Sequence, residues 1–296
     1  MNYNGILIID KPSGWTSHDV VAKLRGALRV KRIGHGGTLD PMATGVLPVF
    51  IGRATRAAEF CENAEKEYIA GLRLGIVTDT QDITGQTLSD CEVSLTKSDL
   101  EGVIPSFLGS QKQIPPMYSA IKQGGKKLYE LARRGIDVPR PARDIHISAI
   151  ELLNGGGNEF ELRIVCSKGT YIRTLCHDIG ASLGCGGTMS SLRRTKAGVF
   201  SLEMAKALDE VLSAVSAGEA WKLIMPVDSL FMEFPSATLC EDDARGVKNG
   251  RPCRATGLAE LPPDGRHRFY GPDNEFLMLG DVVADEIKIV KGFFEV

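Results

Sequence analysis

The apolar residues of this chain fall into strand-like and helix-like runs with no steady strand–helix–strand alternation. That pattern excludes a doubly wound parallel sheet and points to an α+β fold. Gly5–Asp10 (GILIID) reads as a short buried strand broken by Pro12, Ser13 and Gly14. Ser17 can cap a helix to about Val30, with Val20, Val21, Leu24 and Leu28 on one face. After a Gly-rich turn at 34–45, Val46–Ile51 predicts a buried strand whose Pro48 argues for an edge or a bulge. In Tyr68–Leu74, alternate residues Tyr68, Ala70, Leu72 and Leu74 share a face. Residues 77–90 are polar and turn-rich and predict a loop. Thr96 starts a predicted helix over 96–108, Gln113–Pro116 is extended, and Gly124–Gly135 frames a basic helix. Arg143–Leu153 and Glu159–Cys166 predict two strands joined by a turn. Thr170 can cap a helix to about Leu183, with Ile172, Leu175, Ile179 and Leu183 inward.

At 296 residues the chain has room for two domains. The character changes after about Leu230. From 233 to 296 short apolar runs alternate with Gly and Pro turns (NGRPC, LPPDG, YGPDN, LGDVVADE), which predicts a small all-β module of the compact-barrel type. The expected division is therefore 1–232 and 233–296. No apolar run reaches the ~18 residues that suggest a membrane span. The apolar stretch Ile6–Ile9 is too short for a secretory signal and follows no basic region. Seven Cys, an odd number with no C-x-x-C pair, argue against a disulfide scaffold or zinc ribbon and for a reducing cytoplasm.

The net charge of −2 hides local basic segments. Lys23, Arg25, Arg29, Lys31 and Arg32 crowd 23–32 with no acid among them. Lys122, Lys126, Lys127, Arg133, Arg134, Arg140 and Arg143 outnumber the three acids of 120–145. Such patches suit a polyanion, because phosphates are neutralised locally; charge alone favours ordinary solvated helix faces.

Two strings offer chemistry. In His35-Gly36-Gly37-Thr38-Leu39-Asp40-Pro41 the glycines permit unusual backbone, and Pro41 pushes Asp40 out of the helical region. The string can present one carboxylate on a stiff turn as nucleophile or proton acceptor. Spacing alone favours an ordinary Asx turn. In Cys166-Ser167-Lys168-Gly169-Thr170-Tyr171-Ile172-Arg173 a strand passes into a helix, whose free N–H groups attract anions. There Arg173 can form a bidentate pair with a carboxylate or simply stand exposed. Ser119-Ala120-Ile121-Lys122 fits S-x-x-K but lacks the S-D-N and K-T-G partners of penicillin-recognising enzymes. The five His are scattered, so no metal site is expected.

Taken in order, GILIIDKPSGWTSHDVV, GHGGTLDPMATGVLPV, QIPPMYSAIKQGGKKLYELARRG, CSKGTYIRTL and Leu192-Arg193-Arg194-Thr195 resemble the bacterial tRNA pseudouridine-55 synthases over residues 5–200. The tail from about 234, with Val247-Lys248-Asn249-Gly250-Arg251-Pro252, resembles the PUA barrel that ends many members. One departure is Gly36, where the family usually has Thr, which removes any hydrogen bond of that hydroxyl. The resemblance implies a pseudouridine synthase fold: a mixed, largely antiparallel sheet flanked by helices. It also implies conversion of one T-loop uridine of tRNA to pseudouridine by a monomer without metal or organic cofactor. Asp40 would be the catalytic aspartate, acting at C1′, at C6 or on a sugar proton. Tyr68 would stack on the base and help remove the C5 proton, and Arg173 would pair with Asp40 and hold it ionised. Tyr171 and Leu192 would line the pocket, and His35 would fill the space the base leaves. Segments 23–32 and 122–143 would contact phosphates, and Lys248, Arg251 and Arg254 would face the acceptor stem. Two rival classes are a non-catalytic tRNA-binding factor, separable at Asp40, and a hydrolase using Ser119 and Lys122.

Overall fold

The computed structural model describes residues 3–251, 253–254 (backbone alone), 264–284 and 286–294. In chain order the elements are β1 (Gly5–Lys11), α1 (Ser17–Leu28), β2 (Ile33–His35), β3 (Thr44–Ile51), α2 (Ala58–Asn63), β4 (Lys66–Leu74), β5 (Ile76–Thr78) and β6 (Thr87–Asp90). Then come α3 (Lys97–Val103), β7 (Gly109–Gln113), β8 (Lys122–Gln123), β9 (Lys126–Lys127), α4 (Leu128–Ala132), β10 (Arg143–Gly156), β11 (Glu159–Cys166) and α5 (Ile172–Ser182). The chain continues with β12 (Gly187–Ala197), β13 (Phe200–Ser201), β14 (Lys206–Ala207), α6 (Leu208–Ser216), β15 (Ser236–Thr238), α7 (Glu241–Lys248), β16 (Cys253–Arg254), β17 (Gly265–Tyr270), β18 (Phe276–Val283) and β19 (Glu286–Gly292).

The main sheet runs β14-β1-β3-β12-β4-β11-β10-β7, with β2 beside β3 and β13 beside β12. Only β1/β14 and β3/β12 are parallel; the other pairs are antiparallel. The α+β expectation is borne out. β1 is buried on both faces, which is why GILII is a continuous apolar run. Its Ile6 and Ile8 pack with Val46 and Phe50, while Leu7 and Ile9 meet Val20, Leu24 and Leu28 of α1. In β4, Tyr68, Ala70, Leu72 and Leu74 enter a third cluster with Ile172, Leu175 and Ile179 of α5.

Several local expectations are corrected. α1 is capped by Thr16, not Ser17, because Asp19 completes a capping box with Thr16. Ser17 is instead buried, its hydroxyl accepting from Leu39 N at 2.9 Å. Pro48 lies inside the sheet, opposite Ile8. It is tolerated because β12 leaves β3 after Gly45 and β2 ends at His35 opposite Val49, so at Pro48 only the carbonyl is used, accepting from Gly36 N at 2.9 Å. The expected loop 77–90 contains the β5–β6 hairpin, which docks on β12 through Ile83 N to Met189 O. The Thr96 cap stands, but α3 ends at Val103 and passes into a short 3₁₀ turn, where Pro105 cannot donate. The expected basic helix is not found: the helix there is only Leu128–Ala132 and carries no base, the lysines lying before it in β8 and β9 and Arg133 and Arg134 after it. Tyr171, not Thr170, stands at the N-cap position of α5, where no side chain caps the helix; the Thr170 hydroxyl turns back to Ser167 O.

The C-terminal sheet runs β15-β17-β18-β19-β16. The segment is not all-β: α7 packs Ala244 and Val247 on Phe269, Leu277 and Val282. Glu241, Asp242 and Asp243 open that helix and Arg245 and Lys248 close it, matching its dipole. Phe276, Leu279 and Phe293 join Phe60 and Phe231 in one cluster, seating this sheet on the main body. Lys291 also pairs with Glu59 at 2.5 Å. Pro252, residues 261–263 of the LPPDG turn, Asp285 and the Arg254 side chain lie outside the described residues. Among the described residues no helix is long and apolar enough to cross a membrane.

Candidate active site

Residues 34–45 are held from three sides. Gly14 N and Lys11 Nζ both donate to Pro41 O, at 2.8 and 3.2 Å. Ser17 binds Leu39, and Arg194 donates to Gly37 O and Val46 O at 3.2 and 2.7 Å. Gly45 is obligatory: its φ is +101°, and a Cβ there would stand 2.2 Å from Arg194 O. Ala43 N donates to Asp40 O, closing the turn on the aspartate. The stiffness expected of this string therefore comes from long-range hydrogen bonds as much as from Pro41. At Gly36 a Cβ would meet Phe50 Cε2 at 2.8 Å and Cys61 Sγ at 2.9 Å, so those two side chains occupy the space a Thr would need.

Arg173, in the first turn of α5, reaches Asp40 with two nitrogens: Nε to Oδ2 at 3.0 Å and Nη2 to Oδ1 at 3.2 Å. Its Nη2 also donates to Tyr118 O at 2.9 Å and its Nη1 to Thr80 O at 3.2 Å. The side chain is 5% exposed; these acceptors replace the water lost by Nη1 and Nη2, while Nε meets Asp40 Oδ2 as an ion-pair contact without hydrogen-bond geometry. Asp82, 8% exposed, faces Nη1 at 3.7 Å. Its own carboxylate is fixed by Thr84 N and the Thr80 hydroxyl.

Burial pushes the Asp40 pKa above the usual carboxylate range and outweighs the opposing pull of Arg173; Asp82 adds to the rise. The expected lowering by Arg173 is thus present but overcome. Tyr68 is 8% exposed, and burial raises its pKa against the pull of Arg194, its partner across the β4–β12 ladder. Its hydroxyl is therefore protonated at neutral pH. Leu192 stands opposite Ala70, two residues from Tyr68, in the same apolar cluster as Tyr68 and Leu39. Tyr171 is half-buried, with its peptide bracketed by the Gln113 side chain at 2.8 and 3.0 Å. Burial raises its pKa as well, and Arg173 and Asp40 both act on it. His35 ends β2, edge-on to His18 at 5.3 Å; burial lowers its pKa to about 4, so it is neutral.

Three further cations lie under this surface. Lys11 donates to Pro12 O, Trp15 O and Pro41 O, and burial lowers its pKa to about 8 while Asp40 raises it. Lys66 donates to Cys61 O, Glu62 O and Ala64 O. Arg194 is 1% exposed. Main-chain carbonyls solvate all three, which leaves a positive field beneath the cleft, suited to an anionic ligand.

Sequence reasoning missed Asp82, Thr80, Gln113 and the Tyr118 carbonyl. Asp82 sits in the segment read as a loop, where the only signal was a short acidic residue among threonines. Ser119 is buried and Lys122, in β8, is exposed, which does not support the S-x-x-K reading. Lys23, Arg25, Arg29, Lys31 and Arg32 are exposed, as are Lys122, Lys126, Arg133, Arg134 and Arg143. In the tail Arg251 is exposed, whereas Lys248 is paired with Glu275 at 2.6 Å. Among the described residues no group of three or more His, Cys, Asp or Glu could hold a metal ion.

A sheet that gathers Asp40, Arg173, Tyr68 and Leu192 over a positive floor can hold a planar base against one carboxylate. Comparison with known proteins agrees. Residues 25–172 match the TruB family pseudouridylate synthase N-terminal domain, and 173–232 the tRNA pseudouridylate synthase B C-terminal domain. Curated relatives called tRNA pseudouridine synthase B include one from Alkaliphilus oremlandii, 42% identical over 99% of each chain. Another from Clostridium kluyveri is 41% identical over 98% of this chain and 99% of its own. A third from Yersinia pestis is 40% identical over 95% of this chain and 89% of its own. Among solved structures, a Cbf5-Nop10-Gar1 complex matches with a TM-score of 0.75 at 27% identity, over 98% of this chain and 85% of that one. An H/ACA RNP bound to a substrate RNA containing 2′-deoxyuridine matches with a TM-score of 0.73 at 26% identity, over 98% and 85%. Sequence, fold and the placement of these side chains converge: the chain belongs to the TruB family of pseudouridylate synthases.

Proposed function

We propose that this chain converts the T-loop uridine at position 55 of tRNA to pseudouridine, with Asp40 as the catalytic carboxylate. The observation that carries the reading is the Arg173–Asp40 pair, with Tyr171 next but one to Arg173 in the chain and with Tyr68 and Leu192 in the same apolar cluster as Leu39, the neighbour of Asp40. In the isomerisation the C1′–N1 bond breaks and a C1′–C5 bond forms. A proton leaves C5 and N1 gains one, so no redox equivalent is consumed. A target base inside a folded loop leaves its stack first, at a cost of a few kcal/mol. Stacking on an aromatic face such as Tyr68 returns ~1–3 kcal/mol in single-strand binders. Asp40 acts at the sugar–base junction, and Arg173 fixes its orientation and favours the ionised form. Tyr68, protonated at neutral pH beside Arg194, assists the final loss of the C5 proton as a hydrogen-bonding phenol and not as the base, and the proton passes on to solvent. Leu192 and the apolar cluster behind it keep the detached base from water. His35, neutral and half-buried at the rim, fills the gap in the RNA.

The exposed bases of 23–32 and 122–143 bind phosphates of the T-stem-loop. Residues 1–232 form the catalytic unit and 233–296 a PUA-like RNA-binding unit. In the latter Arg251 is exposed for the acceptor stem, and Lys248 must first leave Glu275. The enzyme acts as a monomer in the cytoplasm, where its substrate is. The test is incubation with an unmodified tRNA transcript followed by mapping of pseudouridine. Wild-type protein should modify one T-loop uridine, and Asp40→Asn should make no product while binding tRNA normally. Unchanged product from Asp40→Asn would reject the assignment. Binding without any product from wild type would favour a tRNA-binding factor.

A further inference from the structure

Arg173 is gripped by two separate chain segments. The β5–β6 hairpin supplies Thr80 O and Asp82, and the arm that follows β7 supplies Tyr118 O. The Tyr118 side chain crosses to the hairpin, where its hydroxyl donates to Asp79 Oδ2 at 3.3 Å. Asp79 is itself fixed in the hairpin: its Oδ1 accepts from Gln86 N at 2.7 Å and its N–H donates to Gln86 O at 3.1 Å. A closed circuit results, running from Arg173 through the Tyr118 carbonyl, the Tyr118 hydroxyl, Asp79 and Thr80 back to Arg173.

Without the hydroxyl–carboxylate bond, the two carbonyls that orient the guanidinium belong to segments free to shift independently. The arm also bears load. Tyr129 N donates to Ser119 O at 3.1 Å, and Leu128 N to Ile121 O at 2.8 Å, so movement of the arm is transmitted to the residue beside Tyr118. The arm carries the exposed Lys122, Lys126, Arg133 and Arg134, which RNA phosphates would pull.

We propose that the Tyr118–Asp79 contact is a latch that keeps the arm and the hairpin in register on Arg173, making Tyr118 and Asp79 positioning residues for the isomerisation. The inference rests on the function proposed above. The bond is solvent-facing, so its contribution to global stability is small and its effect falls on the geometry of the Arg173–Asp40 pair. Tyr118 is neutral as the donor role requires, since burial and the Asp79 charge both raise its pKa.

Tyr118→Phe keeps the ring and the main-chain carbonyl and removes only the hydroxyl. Single-turnover pseudouridine formation is measured at saturating unmodified tRNA transcript, with filter binding of the same transcript alongside. We expect the rate to fall about tenfold with the dissociation constant within about twofold of wild type. Asp79→Asn, left with one acceptor oxygen for two donors, should slow the step similarly. The double variant should be no slower than the slower single one, because both remove the same contact. Wild-type rates in Tyr118→Phe, a loss explained by weaker tRNA binding, or losses that multiply in the double variant would each overturn the latch. Wild-type protein run in the same assay keeps the two readings apart. If it forms no product the function fails, and if it does while Tyr118→Phe matches it only the latch fails.

Discussion

Replacing Gly36 with the family's usual Thr should harm this protein, and the structure sets the size of the effect. The first atom added, Cβ, would lie 2.8 Å from Phe50 Cε2, 2.9 Å from Cys61 Sγ and 3.0 Å from Cys61 Cβ. Phe50 and Cys61 are both 0% exposed, so neither can swing into solvent, and Thr brings two more heavy atoms. Inserting carbons into a closed site of this kind costs about 1–3 kcal/mol. At about 2.1 cal/mol/K of unfolding entropy per residue, a chain of 296 residues loses about 1.6 °C of Tm per kcal/mol, so a fall of roughly 2–5 °C is expected. Because Gly36 N also donates to Pro48 O four residues before Asp40, relief of the clash displaces the turn that carries Asp40, and turnover should drop with Tm if Asp40 is the catalytic carboxylate proposed above. The assay is thermal denaturation of four proteins: wild type, Gly36→Thr, Cys61→Ala and the double variant. Cys61→Ala should lower Tm in the wild-type background and raise it in the Gly36→Thr background, since it opens the space the Thr needs. A Gly36→Thr protein with unchanged Tm, or no reversal in the effect of Cys61→Ala, would refute the reasoning.

Arg173→Lys keeps the charge but loses the planar fork that serves Asp40, Tyr118 O and Thr80 O together. Two buried acceptors left without a donor amount to about 2–3 kcal/mol, so single-turnover rate should fall roughly 30- to 160-fold; a wild-type rate would dissociate the pair from catalysis. The raised Asp40 pKa places the acid limb of activity above the pH of an ordinary carboxylate. Its folded form holds the proton more tightly than the unfolded chain, so protonation favours folding. Activity should therefore vanish on acidification while circular dichroism stays native, and coincident loss of both would contradict this. Salt should weaken tRNA binding along a steep log–log line, and reversing Lys126 and Lys127 to Glu should flatten it; a flat wild-type response would remove the arm from the interface.

Elements dictated by near neighbours were legible in the sequence. GILII, the alternation of 68–74, the α1 and α5 apolar stripes and the Thr96 cap each depend on residues a few positions apart. The same local logic failed where two residues competed for one role. Thr16 won the α1 cap because Asp19 sits three positions on, which freed Ser17 to bind Leu39. Residues 77–90 read as a loop because their pairing partner, Met189 on β12, is remote in sequence.

The family was legible in strings of residues alone, and those strings single out Asp40 as the expected aspartate. Spacing by itself leaves open which groups meet: the Arg173–Asp40 pair is expected only from the resemblance, and the Arg173–Thr80 contact is not expected at all. Arg173 and Asp40 are 133 positions apart, and Arg173 and Thr80 are 93 apart. Such contacts arise only when β12 carries the hairpin to α5 and β1 holds the catalytic turn. The direction of the Asp40 pKa shift likewise follows from burial set against Arg173 and Lys11 with Asp82 close by, a balance that no spacing of residues encodes.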